Sequence, residues 1–549
     1  MGAVAPVDTP VGSRASSRLI PRLPMIPFHA GVSRPRLRLC AGIFLAPLVF
    51  SLLPAPPASA APAAPKPIAP IVAPFPMPQL QRPVFADRVF DIRSYGAVEG
   101  GSFKNTAAIA RAVDACAAAG GGHILVPAGR WLTGPIHLKS HVDLHLAKGA
   151  VVVFSDRFAD YLPVVLVRVG GVDLYNYSPL IYARDCTDVA VTGPGRLNGN
   201  GRAWWAWQRR QTREVVRLAP GGVPVEKRVF GTPEAAIRPN FVVFYHCSNV
   251  LLEGFSIGSG PCWTLQPVYC EDVIIRRLNV DTDGPNNDGL DPDSCRNVLI
   301  EKCRFSTGDD CVVLKSGYNE DGWRVNRPTE NVVMRDCVGL RGHGGFVVGS
   351  EMSGGVRNVY VHDCEFVGTD RAVRIKSMRG RGGVVENLWV DGIVARDMKR
   401  EAVTINMDYG SDPNAATNSR APAFRNIHIR NFRCEGARVA VRIKGLADSP
   451  VRDLSFENVA IAADTGVICT HATGVSFKGV AFVAARGPGF DFRSVDGATI
   501  RDARVRAAAF IRVQGPETRG VVISGTPLDA PAPRIEWGPG ADKGAVVVR

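Results

Sequence analysis

From Asn297 to Cys303 the chain reads NVLIEKC, and closely similar segments, NVVMRDC and NVYVHDC, begin at Asn331 and Asn358. Each segment starts with a polar residue, continues with alternating apolar residues, and ends with a polar pair and one more apolar residue. An alternation of period two indicates β-strands. Intervals of 21 to 39 residues between the segments indicate a solenoid. The nine segments begin at Asn249, Asp272, Asn297, Asn331, Asn358, Asn387, Asn426, Asp453 and Gly474.

The repeat predicts an all-β fold, a right-handed parallel β-helix in which each coil stacks on the next and buries a shared apolar column. The polar residue that opens each segment, most often Asn, should adopt the left-handed αL conformation, and its side chain should join a ladder along the solenoid. An antiparallel β-sandwich also contains short alternating strands. The regular phase of the repeat and the scarcity of Asn-Gly hairpin turns weigh against it.

One segment before the repeats has helical spacing. Residues 105–119 read NTAAIARAVDACAAA and are followed by three glycines. Asn105 or Thr106 can cap the helix at its start, and Gly120 can end it. We expect this helix to cap the first coil of the solenoid, whose apolar end would otherwise be exposed.

The N-terminus has the pattern of a targeting segment, and residues 1–60 predict a signal peptide. Arginines precede an apolar run from about Leu39 to Leu53, and Ala-Ser-Ala at residues 58–60 fits a cleavage site. A run of about 15 residues is short for a transmembrane helix, although an uncleaved anchor remains the alternative. Export to the periplasm or the extracellular space is expected, without stable membrane insertion. The Ala/Pro-rich residues 61–84 predict an extended, solvated linker, and residues 85–549 the β-helix domain.

The formal net charge is +14, and the first 60 residues contain six Arg and one Asp, which leaves +9 for the rest. A basic surface suits an anionic partner: nucleic acid, anionic lipid or acidic polysaccharide. Twelve cysteines follow residue 60. Cys303, Cys337 and Cys364 stand at a repeat position where other coils carry Val, Ile or Phe, which predicts mostly buried thiols and few disulfides. No Cys/His spacing resembles a zinc site.

The most acidic stretch, DTDGPNNDGLDPD, runs from Asp281 to Asp293, and Asp309 and Asp310 follow Asp288 by 21 and 22 residues. Because 21 residues make about one coil, these carboxylates should lie on adjacent rungs, about 4.8 Å apart. Carboxylates so close raise one another's pKa, which suits acid/base chemistry. A calcium loop is the competing interpretation, but Pro292 stands where an EF-hand needs a bidentate Glu. No metal or cofactor is predicted.

From about Phe90 to Gly410 the chain resembles glycoside hydrolase family 28, the polygalacturonase family. FDIRSYGA and SPLIYARDCTDVAVTGPGRLNGNGRAWW resemble the family's cap and first coils. The family's four active-site motifs appear in order as Asn286-Asn287-Asp288, with Asn in place of Thr, Gly308-Asp309-Asp310, Gly342-His343-Gly344 and Arg374-Ile375-Lys376.

A second Arg-Ile-Lys occurs at residues 442–444, about two coils beyond the first. We interpret it as a coincidental alternating strand.

The resemblance implies hydrolysis of the α-1,4-galacturonosidic bonds of polygalacturonate with inversion of configuration. Asp309 would be the general acid that protonates the leaving oxygen. Asp288 and Asp310 would hold and activate the attacking water. His343 would keep Asp309 in the required protonation state. The Asn at position 287 should be tolerated if its side chain points away from the substrate.

The substrate side of the same resemblance involves three residues. Arg374 and Lys376 would bind the galacturonate carboxylate through charge-assisted hydrogen bonds, and Tyr409 would contact the sugar. The partner is thus an acidic polysaccharide rather than nucleic acid, and a monomer is expected.

The segment SGYNEDGWRVNRPTEN, residues 316–331, resembles the bacterial exo-acting branch of the family. We expect it, with Trp323, Arg324 and Arg327, to close one end of the cleft, so that the enzyme releases mono- or disaccharides. Rhamnogalacturonan or xylogalacturonan are alternative substrates within the family. A calcium-assisted pectate lyase and a non-catalytic polysaccharide-binding β-helix are alternatives outside it.

Overall fold

The structure, a computed structural model, describes residues 67–410, 420–526 and 534–549. The predicted signal peptide and residues 61–66 lie outside this range. The α-helices are α1 (Thr106–Ala118), α2 (Gln208–Leu218) and α3 (Asn319–Val325).

The strands of the first coils are β1 (Val89–Asp91), β2 (Gly122–Val126), β3 (Gly129–Thr133), β4 (Ile136–His137), β5 (Val142–Leu146), β6 (Ala150–Phe154), β7 (Val165–Val169), β8 (Val172–Asn176), β9 (Ile181–Arg184), β10 (Thr187–Thr192), β11 (Arg196–Asn198) and β12 (Val229–Phe230). The middle coils contain β13 (Val242–Tyr245), β14 (Ser248–Glu253), β15 (Ser256–Gly258), β16 (Leu265–Val268), β17 (Glu271–Arg276), β18 (Asn279–Asp281), β19 (Arg296–Glu301), β20 (Arg304–Ser306), β21 (Val312–Leu314), β22 (Thr329–Arg335), β23 (Val338–Arg341), β24 (Phe346–Val348), β25 (Val356–His362), β26 (Glu365–Val367) and β27 (Val373–Lys376). The last coils contain β28 (Val384–Arg396), β29 (Glu401–Asn406), β30 (Ala423–Glu435), β31 (Val439–Lys444), β32 (Val451–Lys478), β33 (Ala481–Arg501), β34 (Arg504–Arg506), β35 (Ala509–Gln514), β36 (Arg519–Ser524), β37 (Ile535–Trp537) and β38 (Val546–Val548).

These strands wind into a right-handed parallel β-helix, as the repeat predicts. Each coil contributes strands to three faces, and each strand pairs in parallel with its counterpart one coil away. The first face contains the repeat strands β14, β17, β19, β22 and β25. The second face contains β15, β18, β20, β23 and β26. The third face contains β9, β13, β16, β21, β24, β27, β29 and β31.

The polar residue that opens each repeat is in the αL conformation, as predicted. Its φ lies between 53° and 57° in the Asn and Asp residues and is 68° at Gly474. The side chains form a hydrogen-bonded ladder. Asn331, for example, donates to Asn297 at 3.1 Å and accepts from Asn358 at 3.1 Å. The ladder fixes the turn that leads into the first face, so successive coils keep the same register.

The interior is a continuous apolar column. Val298 and Ile300 of one coil lie over Val332 and Met334 of the next, and all four are buried. The twelve cysteines within the described residues are free thiols and are buried, which confirms the prediction of stacked thiols. Helix α1 packs Ile109 and Val113 into the end of this column and caps it as expected. At the N-cap, Asn105 directs its side chain to Val98 rather than to the helix.

Residues 67–84 have no regular structure, yet they are not solvated throughout. Phe75 and Leu80 are buried against the outer side of the first face, on Leu251, Ile274, Leu299 and Val333. The Arg335 side chain donates to the carbonyl groups of residues 69 and 70, and Arg82 pairs with Glu253 at 2.7 Å. The predicted solvated linker is therefore wrong for this segment, because an apolar outer stripe of the sheet binds it.

A second layer covers the N-terminal part of the third face. Strands β7 and β8 pair antiparallel, and β12 joins β8 in parallel. Together with α2, this layer buries the outward-facing side chains of Tyr182, Val243, Tyr245 and Val268. From β27 onward the outward positions of the third face carry polar and charged side chains instead. No helix within the described residues is long and apolar enough to span a membrane.

The ladder yields a stability prediction at Asn331. Asn331→Val should lower the free energy of unfolding by about 2–4 kcal/mol, because two hydrogen bonds of about 1 kcal/mol each are lost and a β-branched residue must adopt αL. Asn331→Gly is the matched control: it loses the same bonds but tolerates the backbone conformation, so about 1–2 kcal/mol is expected. Denaturant titration measures both values. Equal losses in the two variants would contradict the conformational contribution.

Candidate active site

The predicted acidic residues lie in the turns that lead from the second face into the third. Asp288 precedes Leu290, and Asp310 precedes Val312, which pairs with Leu290 across the rung. A carboxylate oxygen from each of Asp288, Asp309 and Asp310 lies within 4.8 Å of the other two. The register of adjacent coils therefore brings together the three carboxylates, which we call the aspartate trio.

Asp310 is the buried, ionised member of the trio. Its carboxylate accepts hydrogen bonds from Arg374 Nη1 at 3.0 Å and from Lys376 Nζ at 2.7 Å, both on β27. Burial alone would raise the pKa of Asp310, but the charges of Lys376 and Arg374 outweigh it and hold the pKa well below its usual range. Asp310 thus remains a carboxylate, able to accept a proton or a water hydrogen.

Asp288 has the opposite electrostatic environment. It is 3% exposed, and its Oδ1 has no hydrogen-bond partner among the described residues. Burial and the neighbouring charge of Asp309 raise the pKa of Asp288 well above its usual value. Within the trio, Asp310 is therefore the member whose ionised form is favoured, and Asp288 the member whose protonated form is favoured.

Asp309 is the most accessible member, with a side chain that is 18% exposed against 1% for Asp310. Its Oδ1 lies 2.9 Å from His343 Nδ1, and Asn286 Nδ2 donates to its Oδ2 at 3.4 Å. The hydrogen bond to Asp309 raises the pKa of His343. Asp309 can therefore reach a ligand in the groove while His343 and Asn286 fix its orientation.

Asn287 stands in the position of the motif's usual Thr, and its side chain points into the solenoid. Its Oδ1 accepts from the backbone N–H of Gly284 at 2.9 Å, and its Nδ2 donates to the carbonyl groups of Gly260 and Cys262 at 3.2 and 3.0 Å. The residue is fully buried. Asn287 therefore shapes the turn that carries Asp288 and leaves the groove unchanged.

The predicted substrate-binding residues Arg374 and Lys376 lie on β27, two rungs from β21, which follows Asp310. Tyr409 is 42% exposed, and the Arg374 guanidinium and the Lys376 ammonium each lie 5.2 Å from its ring centroid. Each cation gives one hydrogen bond to Asp310, and both side chains have further N–H donors. The structure thus brings all seven predicted site residues to one region of the third face and its entering turns.

Three charged residues near the trio were not among the predicted site residues. Asp291 is fully buried, and neither of its carboxylate oxygens has a hydrogen-bond partner among the described residues. Its pKa is raised by burial and by the charge of Asp288. Lys315 donates to Glu351 at 2.7 Å, and although burial opposes ionisation, Lys315 holds the pKa of Glu351 at about 2. Asp291 belongs to the acidic stretch in the sequence, whereas the ion pair of Lys315 and Glu351 joins residues 36 positions apart and has no local sequence signal.

The start of α2 and the segment before β13 contact the turn that carries Asp288. Gln208, at the start of α2, donates to Asn286 Oδ1 at 3.1 Å, and the buried Arg238 donates to the same atom at 2.8 Å. The Trp205 ring lies against Gly284, so close that a Cβ there would come within 2.4 Å of it. These contacts place protein atoms on the N-terminal side of Asp288.

The insertion at residues 316–331 does not close the groove in the predicted way. Trp323 donates to the carbonyl of Arg381, Arg324 pairs with Asp173 at 3.0 Å, and Arg327 pairs with Glu271 at 3.2 Å. The predicted placement of these side chains at the cleft is therefore wrong. Helix α3 instead packs on β8, where Asp321 accepts from the N–H of Asp173, and it supports the layer that forms the wall.

The trio is also the place where a cation could bind, because it is the one group of described His, Cys, Asp and Glu residues with ligand atoms close enough together. Two cationic side chains already bind Asp310, and the raised pKa of Asp288 disfavours its charged form. The arrangement therefore fits a water and a shared proton, with the charge of the trio balanced by the chain's own side chains.

Comparisons with known proteins agree with this geometry. The family model for "Glycosyl hydrolases family 28" matches residues 116–481. The chain is 31% identical over 400 residues to a "Probable polygalacturonase" of Vitis vinifera, covering 70% of this chain and 77% of that protein. It is 23% identical over 455 residues to the "Exo-poly-alpha-D-galacturonosidase" of Dickeya chrysanthemi, with 75% of each chain covered. The solved structure of a hyperthermoactive exopolygalacturonase from Thermotoga maritima superimposes with a TM-score of 0.67 at 38% identity, covering 73% of this chain and 93% of that chain.

The opposite pKa shifts in the trio predict opposite effects on stability. Asp288 has a raised pKa in the folded state, so its ionisation lowers the free energy of unfolding as the pH rises above the carboxyl pKa of the unfolded chain. Asp288→Asn should therefore be more stable than the wild type at pH 7. This gain should shrink towards pH 4. Asp310→Asn should lose about 3–5 kcal/mol at pH 7, because two buried cations lose their partner. Unfolding midpoints at both pH values measure the effects. Destabilisation of both variants at pH 7 would contradict this assignment of charge.

Proposed function

The chain belongs to glycoside hydrolase family 28, and from this membership we propose that it hydrolyses the α-1,4-galacturonosidic bonds of polygalacturonate, from a chain end and with inversion. One observation carries the proposal: the aspartate trio lies directly beside Arg374 and Lys376, so an acid/base group and a carboxylate-binding group share one groove. The names of the relatives from Vitis, Dickeya and Thermotoga support the same substrate class.

The reaction follows from the accessibility and charge of the three aspartates. A water held between Asp288 and Asp310 attacks the anomeric carbon and passes a proton to this pair of carboxylates, of which Asp288, with the higher pKa, is the stronger base. Asp309, the accessible member, donates a proton to the glycosidic oxygen as the carbon–oxygen bond breaks. In the free protein, burial and the charge of Asp309 favour the protonated form of Asp288, which lies within 4.8 Å of Asp309. Deprotonation of Asp288 and protonation of Asp309 upon binding prepare the trio for this reaction.

Inversion is proposed although the carboxylates are close together. Acid and base in inverting enzymes are usually about 6.5–9.5 Å apart, and the pair in retaining enzymes about 5–5.5 Å, whereas here one oxygen of each aspartate lies within 4.8 Å of the others. A retaining mechanism needs one carboxylate free to attack carbon. Asp310 is held by two cations and Asp288 is buried, so water is the better nucleophile in this site.

Substrate recognition rests on charge. Lys376 and Arg374 each give one hydrogen bond to Asp310, and their remaining donors, beside the exposed ring of Tyr409, can bind the carboxylate of a galacturonate unit. The ring of Tyr409 offers an apolar surface for the sugar. An acidic polysaccharide is therefore the proposed partner, and a monomer is sufficient for the site.

Exo action rests on the closed end of the groove. The contacts of Gln208 and Arg238 with Asn286 support a groove that ends beside the trio on its N-terminal side. A chain end can therefore enter, and the polymer must leave along β27, β29 and β31.

Export belongs to the same proposal and rests on the pattern of residues 1–60. A polymeric substrate such as polygalacturonate is encountered outside the cytoplasm. Cell fractionation of the full-length chain tests it.

Asp309→Asn tests the assignment of the acid. It should lower the activity on polygalacturonate by about 10²- to 10⁴-fold, but it should retain most activity on an aryl galacturonide whose leaving group needs no proton. Asp288→Asn is the matched control, since loss of water positioning should impair both substrates. Rates are measured by release of reducing ends and of the aryl group. Equal loss on both substrates in Asp309→Asn would show that another residue is the acid.

The closed groove predicts a particular course of polymer degradation. Reducing ends should rise while the viscosity of a polygalacturonate solution stays high, because units are removed from chain ends. Monomer or dimer should be the first product seen by mass spectrometry. A rapid drop in viscosity with a ladder of mid-sized oligomers would show an open groove and reject exo action.

A further inference from the structure

A basic recess lies on the third face, beside Arg374, Lys376 and Tyr409. It has a volume of about 440 Å³. Its lining contains one carboxylate, that of Glu401, and six cationic side chains. These six are Arg371, Arg374, Lys376, Arg400, Arg442 and Lys444.

The second Arg-Ile-Lys of the sequence forms the far side of this recess. Arg374 pairs in register with Thr404 and Thr404 with Arg442, while Lys376 pairs with Asn406 and Asn406 with Lys444. The two motifs therefore face the same way, two rungs or about 10 Å apart. Between them the shorter side chains of Thr404 and Asn406 form the floor. The sequence interpretation of this motif as coincidental did not foresee a shared recess.

Positive charge in the recess exceeds what its own ion pairs neutralise. Glu401 is shared between Arg371 at 2.7 Å and Arg442 at 3.1 Å. Lys444 pairs with Asp408, and Asp310 is bound by Arg374 and Lys376. Three carboxylates thus face six cations, which leaves three positive charges in excess.

Ion pairs between rungs also occur elsewhere on the solenoid, where they are explained by structure alone. On the first face Arg425 pairs with Glu386, and Arg357 with Glu330, one cation to one carboxylate. The recess differs because cations outnumber carboxylates and because Arg442 and Lys444 remain 35% and 45% exposed. Such a surplus beside an open groove suits a ligand that carries several carboxylates.

We propose that Arg442 and Lys444, with Arg400, form a second carboxylate-binding subsite. It holds a uronate of the bound chain beyond the unit that Arg374 and Lys376 bind. This inference rests on the proposed function and extends it: the closed end takes the terminal sugar, and the rest of the anionic chain lies along the basic side of the groove.

The test is a length series of galacturonate oligomers with the double variant Arg442→Gln/Lys444→Gln. The shortest oligomer that the wild type cleaves ends at Arg374 and Lys376, so its kcat/KM should be unchanged. For longer oligomers kcat/KM should fall at least about tenfold, the effect of losing one charge-assisted hydrogen bond. The loss should appear in KM with kcat nearly constant, because the contact is the same in ground and transition states.

Arg425→Gln is the matched control, because it removes one charge from an exposed ion pair between rungs on the first face and should behave as the wild type at every length. Glu401 keeps its bond to Arg371 in the double variant, so the fold should be retained, as thermal unfolding can verify. An unchanged kcat/KM at all lengths, or an equal loss on the shortest and longer oligomers, overturns the subsite. Failure of the wild type to cleave any oligomer would instead overturn the proposed function.

Discussion

The rung-to-rung register of the parallel strands is the constraint on which the rest of this molecule depends. Because each coil pairs with the next at fixed residues, Asp288, Asp310 and Arg374 meet at one place although they are far apart in the chain. The Asn ladder and the buried apolar column keep that register. A slip of one residue would turn the outward side chains of the third face into the core, so the site and the core are specified by the same pairing.

Within that frame the two cations on Asp310 decide the electrostatics of the site. They favour the ionised form of Asp310, whereas burial and the charge of Asp309 raise the pKa of Asp288 and favour its neutral form. Asp309 is left accessible and held by His343. Polarity changes along the third face: apolar side chains pack under the second layer near its N-terminal end, and a surplus of Arg and Lys lines the recess around β29 and β31.

Most of the fold could be predicted because the repeat itself shows it: nine segments with one phase gave the parallel coils, the αL turns and the adjacency of Asp288 with Asp309. The packed N-terminal segment was missed because its Ala/Pro composition suggests a solvated chain. The sequence does indicate that something covers the outer side of the first face. Strands that are covered on both sides lose their alternation of apolar and polar residues, and the apolar triplets VLL, VII, VLI and VVM begin at residues 250, 273, 298 and 332. The wall built by β7, β8, β12 and α2 could not be predicted, because where an insertion packs depends on contacts remote in sequence.

The central claim is that the aspartate trio directs a water, and not a carboxylate, to the anomeric carbon. It is tested most directly by proton NMR of the sugar released in the first moments of hydrolysis, before mutarotation. Attack by water on the α-linked substrate predicts that the new reducing end appears first as the β-anomer. Initial appearance of the α-anomer would show a covalent intermediate on one of the aspartates and would contradict this account.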